Sequence, residues 1–295
     1  MERESVVAIV IISVIVLSAF YAIFVTSSTI SNKVALIKIT GEITSDETMD
    51  FLFETTSASR IVEEIKRASN DPSVKAVIFY IDSPGGSAVG SSEIARAIEE
   101  LKKPSVTYVR ETCASGAYWV ASATNYIVAE PLSLVGNVGV LSIHIDLSGL
   151  LNKTGVAVDI YKRGKYKDMG IITRPYTAEE EKMINRTLDV VYERFIEEIN
   201  KTRGSKLNIS LDELAKGGIY LGEDAERYGI VDKTGDFNVA FEKAKELAGI
   251  KKAEIVQYRK ESYIEKLLSM TSEKIGYSFA KGFFGGIYDM KLQLR

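Results

Sequence analysis

The chain has 295 residues, of which 46% are hydrophobic, a formal net charge of −3 and a single cysteine. That size allows a large core, as one domain or one domain with appendages. The charge leaves no basic excess for nucleic acid, and one cysteine excludes both an internal disulfide and a cysteine-built zinc site.

Residues 5–25 (SVVAIVIISVIVLSAFYAIFV) form an uncharged run of 21 residues, which would span about 30 Å as a helix. They lack the shorter apolar core and small-x-small site of a cleaved leader. The run predicts a single-pass anchor in lipid over 1–25, followed by a polar linker over 26–33. Arg3 on one side and Lys33 and Lys38 on the other give little charge asymmetry to orient it. Sequons at Asn152, Asn185, Asn200 and Asn208 are compatible with an extracytoplasmic domain.

The soluble region alternates strand and helix. Val34 to Ile39 reads as a strand, Ser57 to Ala68 as an amphipathic helix, and Val74 to Ile81 (VKAVIFYI) as a parallel strand covered on both faces. A helix follows from about Ser91 to Leu101, then strand Ser105 to Val109, a helix over Ala117 to Ala123 and strand Tyr126 to Val128. Leu141 to Asp146 is strand-like. Thr177 to Asn200 is a long helix whose apolar stripe (Ile184, Leu188, Val191, Phe195, Ile199) is explained by core packing. Short helices at 211–215, 223–228 and 239–248 precede a late strand, Ala253 to Tyr258. This order predicts an α/β fold with parallel pairing. The domain boundaries are 34–250 for the globular domain and 251–295 for a C-terminal strand and amphipathic tail. That tail lies on the membrane, lies on a neighbour or is a free end.

Two turns carry chemistry. Ala114-Ser115-Gly116-Ala117 joins a strand to a helix, where a serine hydroxyl would stand above the sheet end beside unpaired N–H groups able to hold an oxyanion. From this stretch alone, capping that helix is the plainer reading of Ser115, since serine is a preferred capping residue. Asp82-Ser83-Pro84-Gly85-Gly86 is a turn whose backbone can approach a ligand closely, and it is also an ordinary strand-to-helix connection. A serine nucleophile needs a base. The sole histidine, His144, stands two residues from Asp146, so a Ser-His-Asp set is geometrically conceivable on a strand. A Cys113/His144 pair has no cation or helix N-terminus beside the thiol.

Together the two turns resemble the Clp protease/crotonase superfamily and, within it, the signal peptide peptidase A family. Tyr161-Lys162-Arg163-Gly164-Lys165-Tyr166-Lys167-Asp168 and Gly218-Ile219-Tyr220-Leu221-Gly222-Glu223-Asp224-Ala225 extend the resemblance over about 34–249. It implies repeated β-α-β units and a serine endopeptidase without cofactor. In it Ser115 is the nucleophile, Lys167 the general base, and the N–H groups of Gly85 and Gly116 the oxyanion donors. Many members have a serine that orients the lysine where this chain has Asn137; the asparagine either substitutes for it or fills a turn. A lysine base requires a pKa well below about 10.4; Lys162, Arg163 and Lys165 crowd Lys167, although a solvated basic loop would read the same. An extended peptide would add along Gly86, Ser87 and Ala88 on one side and Val138, Gly139 and Val140 on the other. The resemblance also implies apolar substrates such as remnant signal peptides, and a ring-like homo-oligomer. A crotonase-like acyl-CoA enzyme and a non-catalytic membrane scaffold are the competing readings.

Overall fold

The computed structural model describes residues 12–18, 32–46 and 54–258. Residues 12–18 are helical; the rest of the predicted anchor, most of the linker and the tail from 259 lie outside the described residues. No helix among the described residues is long and apolar enough to cross a membrane.

The elements run β1 (Lys33–Thr40), β2 (Glu42–Thr44), β3 (Thr55–Ser57), α1 (Ala58–Asn70), β4 (Val74–Ser83), α2 (Ala88–Glu99), β5 (Ser105–Ala114), α3 (Gly116–Ser122), β6 (Tyr126–Ala129) and β7 (Leu134–Gly136). They continue with α4 (Ser148–Thr154), α5 (Ala178–Arg203), α6 (Leu211–Leu214), β8 (Ile219–Leu221), α7 (Gly222–Arg227), β9 (Lys233–Thr234), α8 (Phe237–Leu247) and β10 (Glu254–Val256). The main sheet has the order β10-β1-β4-β5-β6-β9, and each pairing along it is parallel. The late strand is therefore part of this sheet. β2 and β3 form a separate parallel pair.

β4 is buried on both faces, as its unbroken apolar run predicts: Ala76 and Ile78 pack with Val34, Val106 and α8, while Val77, Phe79 and Ile81 are fully buried on the opposite face. Each such Val or Ile contributes about 1.5–3 kcal/mol relative to exposure. α3 is buried along its whole length, which suits a helix with no polar stripe. The Tyr118 hydroxyl donates to Ile230 O at 2.9 Å, and Trp119 stacks on Phe195 of α5 at 4.9 Å.

Two expectations need correcting. β5 runs on to Ala114 instead of ending at Val109, because β6 pairs with its first half and β7 with Thr112 to Ala114. Leu141 to Asp146 joins no ladder among the described residues, and its alternating apolar side chains face outward, with Leu141 74% and Ile143 79% exposed.

The end of α5 is tied to the sheet by a buried ion pair. Arg203, 1% exposed, donates to Asp232 Oδ2 at 2.6 Å and to Gly229 O at 2.7 Å; Asp232 also accepts from Lys206 and from the Ile127 N–H. Burial alone would push the Asp232 carboxyl up, but Arg203 and Lys206 hold it below its ordinary value. Arg203→Ala is expected to destabilise the fold by about 3–5 kcal/mol, since it leaves Asp232 buried without its strongest partner. The urea midpoint measures this.

Candidate active site

Ser115 stands where β5 meets α3, with φ 52° and ψ −125° and no side-chain capping bond. The capping alternative is therefore not realised. A non-glycine residue in this region costs of order 1–3 kcal/mol unless its surroundings dictate it. Here they do. The Ser115 N–H donates to Gly136 O at 2.9 Å, and Ser115 O accepts from Tyr118 and Trp119.

The Gly85-Gly86 turn lies directly against this elbow. A Cβ on Gly85, at φ 104°, would come 2.8 Å from Gly116 N and 2.9 Å from Ser115 Cβ, so only glycine fits. The Gly85 N–H is taken by Ser83 Oγ at 3.2 Å. The next N–H, that of Gly86, has no acceptor among the described residues, and neither has that of Gly116. A methyl group on Gly116 would sit 3.5 Å from Gly86 N and 2.3 Å from Ser91 Oγ. Two N–H groups without an acceptor among the described residues thus flank Ser115, and one lies a residue later than the family resemblance implied. Gly116→Ala is expected to force Ser91 and α2 away and to lower kcat by about 10²–10³ with KM little changed, which is the cost of disturbing one oxyanion donor. Steady-state kinetics with a peptide substrate would measure both constants.

Ser115 opens into a cleft of about 560 Å³ shared with Gly86, Ala88, Gly116, Asn137, Gly139 and Val140. Its apolar wall is Trp119, Leu141, Val191 and Phe195. Two residues of the α5 stripe therefore face the site as well as the core, which periodicity cannot reveal. Asn137, at φ 52°, is held by its N–H to Gly218 O at 2.7 Å and by Nδ2 to Gly217 O at 3.1 Å. Ser87 does not line the cleft: its Oγ caps α2 by accepting from the Gly90 N–H. Val138 is buried.

Lys167 lies in an exposed turn and is not among the cleft residues. The lysine that does line the cleft is Lys216, which sequence reasoning missed. It pairs with Glu213 at 2.5 Å, and that hydrogen bond pushes the ammonium above its ordinary value, which opposes use as a base. His144 is also elsewhere: its Nε2 is 3.1 Å from Ile171 O and its ring packs on Tyr176, while Asp146 accepts from the Ser148 N–H. Cys113 is fully buried, and burial pushes its thiol up, away from the reactive thiolate.

Residues 97–251 match the family model described as Peptidase family S49. The chain belongs to that family. A Methanocaldococcus jannaschii protein named as a protease is 40% identical over 223 residues, covering 75% of this chain and 71% of its own. An Enterococcus faecium protein named as signal peptide peptidase SppA is 30% identical over 236 residues, 79% of this chain and 68% of that one. Against the longer Protease 4 of Haemophilus influenzae, the match covers 77% of this chain but 37% of that one. Among solved structures, a membrane-bound stomatin-specific protease, 1510-N, superposes with a TM-score of 0.51 at 18% identity, covering 78% of this chain and 99% of that one. The S49 match and these names identify the SppA family of serine proteases.

Proposed function

We propose that this S49 peptidase is a membrane-anchored endopeptidase with a Ser115/Lys167 dyad, its catalytic domain extracytoplasmic, acting on apolar, extended segments such as remnant signal peptides. The observation that carries the reading is the Ser115 elbow, strained at φ 52° and flanked by the free N–H groups of Gly86 and Gly116. The apolar cleft wall supports an apolar substrate.

In acylation, Ser115 Oγ attacks the scissile carbonyl carbon while its proton passes to neutral Lys167 Nζ. The carbonyl oxygen takes the negative charge and is received by the Gly86 and Gly116 N–H groups. The Lys167 ammonium protonates the amine as the C–N bond breaks, which leaves an ester on Ser115. Water then loses a proton to Lys167 and attacks the ester carbonyl, and as the C–O bond to Ser115 breaks the ammonium returns that proton to Ser115 Oγ, releasing the acid. Asn137 Oδ1 is the acceptor that orients the lysine.

Lys167 lies outside the Ser115 cleft of its own chain, so in this reading a ring of copies supplies the lysine of one subunit to the serine of the next. The outward-facing Leu141, Ile143, Ile145, Val156 and Val158 provide apolar surface for that contact. The test is hydrolysis of a fluorogenic apolar peptide by the full chain in detergent, with its assembly state measured in the same buffer. Hydrolysis by an assembled form agrees with the reading; thioester turnover in place of peptide hydrolysis overturns it.

A further inference from the structure

The segment 162–180 holds five cations (Lys162, Arg163, Lys165, Lys167, Arg174) and three carboxylates (Asp168, Glu179, Glu180). Each carboxylate is occupied. Lys162 Nζ donates to Asp168 Oδ1, and Arg174 Nε donates to Asp168 Oδ2 at 2.9 Å; the Asp168 side chain is only 7% exposed. Lys165 Nζ and the Tyr166 hydroxyl both donate to Glu179 Oε2. Arg174 forks onto both oxygens of Glu180 at 2.7 and 2.8 Å, and the Thr177 N–H donates there as well. Arg163 reaches the Lys162 carbonyl. Lys167 Nζ alone among the three lysines of this segment has no hydrogen-bond or ion-pair partner among the described residues, although an aspartate is its immediate neighbour in sequence.

The same contacts fasten the Lys167 turn to the start of α5. That turn is closed by Lys167 N–H to Gly164 O, Met169 N–H to Tyr166 O and Ile171 N–H to Asp168 O. Glu180 closes a capping box with Thr177, so Arg174 links the turn to the first residues of the helix that carries Val191 and Phe195 of the cleft.

We infer that Lys162 and Arg174 are positioning residues for Lys167: by occupying both oxygens of Asp168 they deny the neighbouring ammonium a carboxylate partner, and so keep it able to lose its proton. The inference rests on the reading of Lys167 as base given above. A carboxylate beside an ammonium raises its pKa; the four other cations of the segment face its three carboxylates, and Lys162 and Arg174 both engage Asp168. The side-chain bonds from Arg174 and Lys162 hold Asp168 well below the usual carboxylate range, so it stays ionised, and a freed Asp168 would be an anion available to Lys167. Since the base acts when neutral, raising its pKa moves the rate profile to higher pH.

The experiment is the rate at which a fluorophosphonate probe labels Ser115 across pH, using the full chain in detergent. The Lys162→Gln/Arg174→Gln variant is expected to move the inflection up by about one unit. Labelling then slows about tenfold on the acid side, with the two rates converging at alkaline pH. Adding Asp168→Asn is expected to return the inflection most of the way to its original position. Lys162→Gln alone, in a half-exposed side chain whose loss leaves Arg174 in place, is expected to move it the same way by less. This keeps the test open if the double variant fails to fold. A uniform loss of rate with the inflection unmoved, or a shift that Asp168→Asn does not reverse, overturns the inference and leaves a structural staple. Unchanged labelling in Lys167→Ala would instead overturn the base assignment itself.

Discussion

Ser115→Ala is expected to abolish peptide hydrolysis, lowering kcat by roughly 10⁶-fold, as loss of a serine nucleophile does elsewhere, while leaving the folded state as stable as before. The second half of the prediction follows from the elbow. Ser115 Oγ makes no capping bond to α3, and the contacts that fix the turn run through its backbone N–H and carbonyl, which alanine retains. A capping serine would behave in the opposite way: its loss would cost about 1 kcal/mol of stability and leave hydrolysis intact. Measuring kcat and the urea midpoint on the same preparation separates the two roles. Retained hydrolysis in Ser115→Ala would remove the serine from the reaction whatever the stability result.

Lys167→Ala is expected to be similarly inactive by itself, and to regain activity when it is unfolded and reassembled together with Ser115→Ala. The reason is geometric. The cleft around Ser115 includes no Lys167 from its own chain, so under the proposed ring a productive pair forms where an intact serine on one copy meets an intact lysine on the next. Random mixing of equal amounts gives such a junction at about a quarter of the interfaces of a closed ring, and recovered activity should approach that fraction. If the turn instead swung inward within one chain, no mixture would recover, because each chain would lack one partner. Recovery after mixing, monitored with the fluorogenic peptide, distinguishes the two arrangements. Full activity of Lys167→Ala alone would reject the lysine and return attention to Lys216, the lysine that already lines the cleft.

The strands and helices were largely legible because their patterns are local. The continuous apolar run of β4 implied burial on both faces, and the stripe from Ile184 to Ile199 implied α5. The turn at Ser115 was visible for a related reason: a run of small residues between an apolar strand and an alanine-rich helix permits the positive φ that a sharp strand-to-helix turn needs. Local pattern failed where a distant partner decided the outcome. β5 continues to Ala114 because Ser83 of β4 pairs with Cys113 and β7, twenty residues later, pairs with Thr112 to Ala114. Leu141 to Asp146 has strand-like alternation but, among the described residues, no neighbour with which it forms a ladder. The same alternation that predicts a strand thus predicts nothing when pairing is absent.

The sequence by itself determined which residue types stand ready for serine chemistry, and in which order along an α/β chain, since both follow from neighbours within a turn or two. Only the tertiary structure decided which of them act together. Whether Gly85 or Gly86 keeps a free N–H depends on the reach of Ser83 Oγ. The backbone of Ser115 is held by Gly136, and Asn137 by Gly217 and Gly218, eighty residues away in sequence. Phe195 joins core and cleft because α3 sets Trp119 against it. Hydrogen bonds and packing between segments far apart in the chain fix these choices, and hydrophobic periodicity carries no record of such pairings.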